Sequence, residues 1–211
     1  MEETINKTIL IVMAHPDDAE LVMAGTLARF VSQGYKVCLL VLSLPTKSEL
    51  RKEELRVAAQ ILGIEANLVN TKSKTWRAED LPMHYLVSQI DIWMSNLRPV
   101  SVFTHWVNDT HNDHKITAKA VLASVRRGST NIYMCATPYL TIPTSTTFEP
   151  NSFVDTSEWM KIAIESMRVY TSEPRILEYI EQATVRSRYY GKMINSEFAD
   201  AFICIRQELI I

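Results

Sequence analysis

The sequence has no long hydrophobic run. Runs such as Ile9 to Ala14, with none longer, fall well short of the roughly 20 apolar residues of a membrane span. Glu2 and Glu3 stand where a secretory leader would be basic. A cytoplasmic protein, neither membrane-bound nor secreted, is expected. Cysteine is scarce too: Cys38, Cys135 and Cys204 are odd in number, far apart and set in apolar context. That excludes a disulfide framework and a cysteine zinc site, and suits buried thiols in a reducing compartment. An excess of positive charge is also missing, with 22 Lys and Arg against 24 Asp and Glu and a pI near 6.2. No global field therefore draws in nucleic acid or an anionic membrane, and a small-molecule partner is expected. No G-x-G-x-x-G or P-loop follows the first apolar run, which disfavours a nucleotide-binding module. Internal repeats and low-complexity linkers are absent.

What is present is an ordinary globular composition. The 211 residues are 47% hydrophobic and 22% charged, enough for one sizeable core, so residues 1–211 are read as a single domain. Strand-like runs at Thr8 to Ala14, Lys36 to Leu42, Asn67 to Asn70 and Val100 to His105 recur at the spacing of βαβ units. Helical periodicity fills the intervals. Leu21, Ala24, Leu27, Ala28 and Val31 mark a helix that stops at Gly34; a second runs from Lys47 to Leu62 and stops at Gly63; a third, from Leu81 to Leu97, ends before Pro99. Further helices are predicted from Asp113 to Arg127, Ser157 to Tyr170 and Pro174 to Tyr190, with an edge strand at Ala199 to Ile205 and an irregular loop from Thr137 to Ser152. The fold class is α/β: a Rossmann-like parallel sheet flanked by helices.

Two polar clusters interrupt this pattern. The first strand ends in His15-Pro16-Asp17-Asp18, and the fourth in "HWVNDTHNDHK", His105 to Lys115. Ligands bind at the carboxyl ends of parallel strands, where both clusters fall. Asp17 with Glu20 also reads as a helix capping box, but a cap does not explain a histidine beside two like charges, which repel unless a cation or proton neutralises them. Two imidazoles and a carboxylate with an open position make a catalytic zinc site, and His15, Asp18 and His114 fit that count. Asp17 stays free to take a proton from water, whose pKa zinc lowers. His111 is placed to stabilise an oxyanion and help protonate a leaving amine, with Asp113 orienting its ring. His105 reads as structural or as support for a ligand, and His84 as part of a helix. The implied reaction is metal-assisted hydrolysis of a linear amide.

"AHPDDAEL" followed about a hundred residues later by "HNDH" resembles the LmbE-like (PIG-L) family of zinc-dependent N-acetylglucosaminyl de-N-acetylases. "RKEELRVAAQILG", "RPVSVFTH", "FEPNSFVD" and "EFADAF" extend the likeness over nearly the whole chain. The resemblance implies a Rossmann-like fold, one zinc ion per chain (or another divalent metal such as Fe2+) on His15, Asp18 and His114, Asp17 as general base, and His111 backed by Asp113. Its substrate would be a small acetylated amino-sugar conjugate of the N-acetylglucosamine type. The chain departs from the family at two places: Val22-Met23-Ala24 precedes Gly25-Thr26 where relatives are glycine-rich, and "LSLPTKSEL" replaces a T-x-G-E-x-G loop that borders the sugar pocket in relatives. Asn195 stands where relatives have glycine, and asparagine tolerates positive φ. Arg51, Trp106 and Asn108 are candidate substrate contacts, with Trp76 and Tyr139 as further pocket walls; the plainer reading is packing for the aromatics and an exposed helix charge for Arg51. A catalytically silent or sugar-binding relative is the alternative, and the intact Asp17, Asp18 and His114 argue against it. A homo-oligomer is compatible with the sequence, the loop from Thr137 to Ser152 suiting an interface as well as a pocket.

Overall fold

The structure, a computed structural model, describes residues 7–69, 73–138 and 147–208. Its centre is β1 (Thr8–Met13), buried at every position as a strand covered on both faces must be. With β2 (Lys36–Val41), β3 (Glu65–Leu68), β4 (Ser101–His105), β5 (Asn131–Cys135), β6 (Ser152–Asp155) and β7 (Ala199–Arg206) it forms one seven-stranded sheet in the order β3-β2-β1-β4-β5-β7-β6. The first five strands in that order are parallel, and β7 runs antiparallel to both its neighbours.

Because β1 alternates its side chains, Ile9, Ile11 and Met13 join one core and Leu10 and Val12 the other. Over the first face lie α1 (Asp18–Ser32), α2 (Ser48–Leu62), α5 (Met160–Met167) and α6 (Ile176–Met193); over the second lie α3 (Met83–Leu97) and α4 (Asn112–Ser124). The expected stops hold. Gly34 and Gly63 adopt φ of +79° and +72°, Arg98 ends α3 just before Pro99, and Asn195 takes φ 57°. Gly25 is required for a different reason: a Cβ there would lie 2.5 Å from Thr156 Cβ. Beside it, Asp200 Oδ2 on β7 accepts from the Thr26 N–H (2.9 Å) and the Thr26 hydroxyl (2.8 Å), so α1 is seated by close approach and by hydrogen bonds.

Some expectations need correction. The third strand occupies Glu65–Leu68 rather than 67–70, and Asn70 lies outside the described residues. Strand β7 lies inside the sheet rather than at its edge, because the unanticipated β6 covers it. The fifth parallel strand, β5, was not foreseen either. Of the proposed irregular loop, residues 139–146 with Tyr139 lie outside the described residues. Cys38 and Cys135 are buried, whereas Cys204 is only partly so.

Candidate metal centre

Strands β1 and β4 are neighbours although the chain between them visits β2 and β3, with Val12 beside Thr104. Strand order reverses at this point, where an open α/β sheet forms its crevice. Both polar clusters leave the sheet here, which is why motifs distant in sequence meet.

The chain turns sharply after β1. Asp17 has φ 98°, left-handed for a non-glycine residue, and stands at the N-cap of α1 without any side-chain cap bond. The capping-box alternative therefore does not form. Instead Asp17 Oδ2 accepts a charge-assisted bond from Arg51 Nη2, which also donates to the Pro16 carbonyl at 3.3 Å. Asp18 turns the other way, accepting the His15 N–H at 2.7 Å through Oδ2. The two adjacent carboxylates thus serve different partners. Burial pushes the Asp17 carboxyl up to about 8, while Arg51 pulls against it.

His15, Asp18 and His114 are all buried and each offers one ligand atom within 4.8 Å of the others. Asp18 Oδ2 lies 3.3 Å from His15 Nδ1, and Asp18 Oδ1 lies 3.4 Å from His114 Nε2. The opposite ring nitrogens are engaged: His15 Nε2 with Asp113 Oδ2 at 3.0 Å, His114 Nδ1 with Asp109 Oδ2 at 2.9 Å. A carboxylate on the outer nitrogen fixes the tautomer and frees the inner one for a cation. Among the described residues, Asp18 Oδ1 and His114 Nε2 are buried with no hydrogen-bond partner. Burial disfavours the imidazolium at both histidines, yet Asp18 with Asp113 and Asp109 outweighs it, raising them to about 9 and about 10. Such a pocket demands positive charge, and its O and N donors suit a divalent ion. The residues present fit one.

Asp113 does not stand behind His111 as the sequence reading had it. Its Oδ2 engages His15 and its Oδ1 accepts the Glu79 N–H at 3.0 Å; only its own N–H meets His111, donating to Nδ1 at 3.2 Å. His111 is thereby the N-cap of α4, and a neutral ring that accepts at Nδ1 carries its proton on Nε2. Burial first, then the charge of His114, holds its pKa below the usual imidazole value, so it is a neutral donor, exposed at the mouth of the site. Two residues, Asp109 and Ser43, carry no role in the sequence analysis, and His105 is read there as structural or as support for a ligand. Asp109 also accepts the His111 N–H at 2.8 Å. Ser43, after β2, donates to the Ala14 carbonyl at 2.9 Å. His105 accepts the Ala14 N–H at 2.9 Å through Nε2, stacks on His114 at 3.9 Å, and is pushed down to about 4 by burial and by His114. The available signal is arithmetic: two histidines read as metal ligands call for two outer carboxylates, and the loop from β4 to α4 holds Asp109 as well as Asp113.

The candidate substrate contacts fare unevenly. Arg51 is buried against Asp17 rather than an exposed helix charge, because α2 lays it back on the turn after β1. Trp106 is buried edge-on to Phe148 at 5.8 Å, and Asn108 is exposed on the same loop. Trp76 donates from Nε1 to the Leu42 carbonyl at 2.7 Å, so it is packing.

Comparison with known proteins agrees with this architecture. The chain is 24% identical over 140 residues to a probable N-acetyl-alpha-D-glucosaminyl L-malate deacetylase 2 of Bacillus cereus, an alignment covering 58% of this chain and 63% of the relative's length. N,N'-diacetylchitobiose deacetylase from Pyrococcus horikoshii superposes with a TM-score of 0.77 at 19% identity, over 94% of this chain and 84% of that one. GalB, the 4-carboxy-2-hydroxymuconate hydratase from Pseudomonas putida, superposes at 0.79 with 16% identity, over 97% and 98%. Fold likeness alone therefore spans a deacetylase and a hydratase. The model of the PIG-L family, described as GlcNAc-PI de-N-acetylase, matches residues 10–125, a span holding both polar clusters and more than half of the sequence. The chain belongs to the PIG-L family.

Proposed function

We infer that the protein is a metal-dependent N-deacetylase that releases acetate from a small N-acetylglucosamine-type conjugate in the cytoplasm. The observation that carries this reading is the buried set of His15, Asp18 and His114 with the Asp17 carboxylate beside it but turned away to Arg51. Zinc, or Fe2+ in its place, would be held by His15, Asp18 and His114. When bound, the ion supplies a Lewis acid that lowers the pKa of water and polarises the amide carbonyl.

The chain's own groups do the rest. Asp17 Oδ1 is buried without a hydrogen-bond partner among the described residues, while Arg51 fixes Oδ2, so one oxygen is held and the other is free to take the proton of the attacking water. Burial alone prefers the neutral carboxyl; Arg51, together with a cation held on His15, Asp18 and His114, would favour the ionised carboxylate this step needs. His111, with its proton on Nε2, donates a hydrogen bond to the acyl oxygen as charge gathers there and keeps that proton. The one proton that Asp17 took from water passes to the nitrogen as the C–N bond breaks, which completes the neutral amine, and the acid released ionises to acetate. Membrane insertion has no part in this reading: among the described residues no helix is long and apolar enough to cross a bilayer.

The test is acetate release from a mixed panel of N-acetylglucosamine conjugates, with added zinc and again with a chelator. Acetate that appears only with metal supports the reading, and the responding conjugate names the substrate group. Metal-loaded protein that releases none from any conjugate overturns it in favour of a binder, or of another reaction on the same fold.

A further inference from the structure

An apolar hollow of about 480 Å³ lies at the amino ends of the strands, lined by Ile9, Ser101 and Asn131 where β1, β4 and β5 begin. A groove of about 380 Å³ lies at the opposite end, beside the metal centre. Ala136 and Thr137, which follow β5, bound it together with Phe148, and α6 bounds it from the other side. From α6 come Gln182, Val185, Arg186 and Tyr189, in steps of three, one and three residues, so they share one face of the helix.

The groove is continuous with the candidate site. Cys135, the last residue of β5, is in register with His105, the last of β4. Trp106 follows His105, and its ring meets Phe148 edge-on at 5.8 Å. The loop that carries Asp109 and His111 therefore starts at a wall it shares with the groove.

Val185 and Tyr189 are 59% and 60% exposed, and exposed apolar side chains in a pocket beside a reactive centre mark where a ligand rests. Of the lining residues only Arg186 is charged. Its guanidinium is engaged, Nη1 donating to the Thr137 and Pro138 carbonyls at 3.0 Å each and Nη2 to the Leu21 carbonyl. No carboxylate lines the groove, so its lining favours neither a cation nor an anion. Phe148, Tyr189 and Tyr190 instead supply rings, and a flat ring set against aromatic faces or edges gains more than its buried area alone gives.

We propose that this groove is a second subsite of the metal centre and takes an uncharged aromatic aglycone, so that the conjugate is an aryl glycoside of an N-acetylated amino sugar. The inference rests on the N-deacetylase reading. The acetamide lies at the metal centre, and the aglycone passes Trp106 into the groove.

Methyl and 2-naphthyl glycosides of N-acetylglucosamine, each as both anomers, test this, with N,N'-diacetylchitobiose as a third substrate. One naphthyl anomer should exceed its methyl counterpart by about tenfold in kcat/KM for acetate release, through a lower KM, as binding remote from the reacting bond does. Val185→Asp and Tyr189→Ser should each cut that ratio to about threefold or less, while Tyr189→Phe should preserve it. 2-Naphthyl glucosaminide, the amine product, does not turn over and so reads the groove apart from the reaction. Its fluorescence should titrate with a dissociation constant that Val185→Asp raises severalfold. If no glycoside releases acetate and the naphthyl amine still binds in this Val185-dependent way, the reaction is wrong and the groove stands. Equal kcat/KM for naphthyl and methyl glycosides, a preference for the disaccharide, or a naphthyl preference that survives both Val185→Asp and Tyr189→Ser would each overturn the proposal. So would a lower mass of Val185→Asp in light scattering, because a second copy would then be what covers the groove.

Discussion

Asp17 combines three properties that rarely coincide in a surface aspartate: left-handed backbone, full burial, and one oxygen paired while the other is not. Left-handed backbone costs an L-residue about 1–2 kcal/mol, and what it achieves is to send Asp17 and Asp18 to different partners. Replacing Asp17 by Asn keeps the shape and removes the proton acceptor. Turnover should fall by roughly 10²–10⁴-fold, the usual worth of a general base, with metal content unchanged; assays of acetate release and of bound metal on the same preparation check both. Asp109→Asn should behave in the opposite way, weakening metal affinity by about 10–100-fold because His114 loses the acceptor at 2.9 Å that fixes its tautomer. Competition with a chromogenic chelator measures that loss. That His15, Asp17, Asp18 and His114 come together was legible in the sequence because they stand in two dense polar runs at strand ends. Asp113 was found but given the wrong partner. Its carboxylate meets a histidine 98 residues away, and no local spacing reports a contact of that kind.

At the scale of elements, α1 is the piece on which the site depends, since it begins with Asp18 and is seated by Gly25 against Thr156. Gly25→Ala should destabilise the protein by about 1–3 kcal/mol, the cost of overpacking, and adding Thr156→Gly should recover part of it. Urea unfolding of the two variants reads this directly. Periodicity and terminal glycines made the helices legible, and the stops at Gly34 and Gly63 follow from their φ of +79° and +72°. The short strands were harder. β6 has only half-buried residues and β3 alternates exposed with half-buried ones, so neither carries the apolar signature of a strand; sheet position, not sequence, makes them strands.

For the whole molecule, Asp200 is a joint between layers. It stands on β7, binds Thr26 of α1, and feels Arg186 of α6. Burial raises its pKa from 3.8 to about 6 against the pull of Thr26 and Arg186. A carboxyl raised on folding adds stability that is fully present below pH 3.8 and is lost as pH rises through about 6. Relative to Asp200→Asn, which keeps an acceptor for Thr26, the wild type should therefore lose stability between these two pH values and show a constant difference above them. Denaturant midpoints across that range decide it, and a gap that stays level throughout would contradict the assignment.

The meeting of β1 and β4 at the centre of the sheet also bears on synthesis. His15 and Asp18 leave the ribosome long before His114, so a growing chain carries only part of the candidate site until β4 has docked beside β1. On the metal-dependent reading, an ion picked up early would rest on an open, weakly holding pair and exchange freely. Tight capture would wait for the last imidazole, and a chain that retained an ion would be one whose central strands already lay side by side.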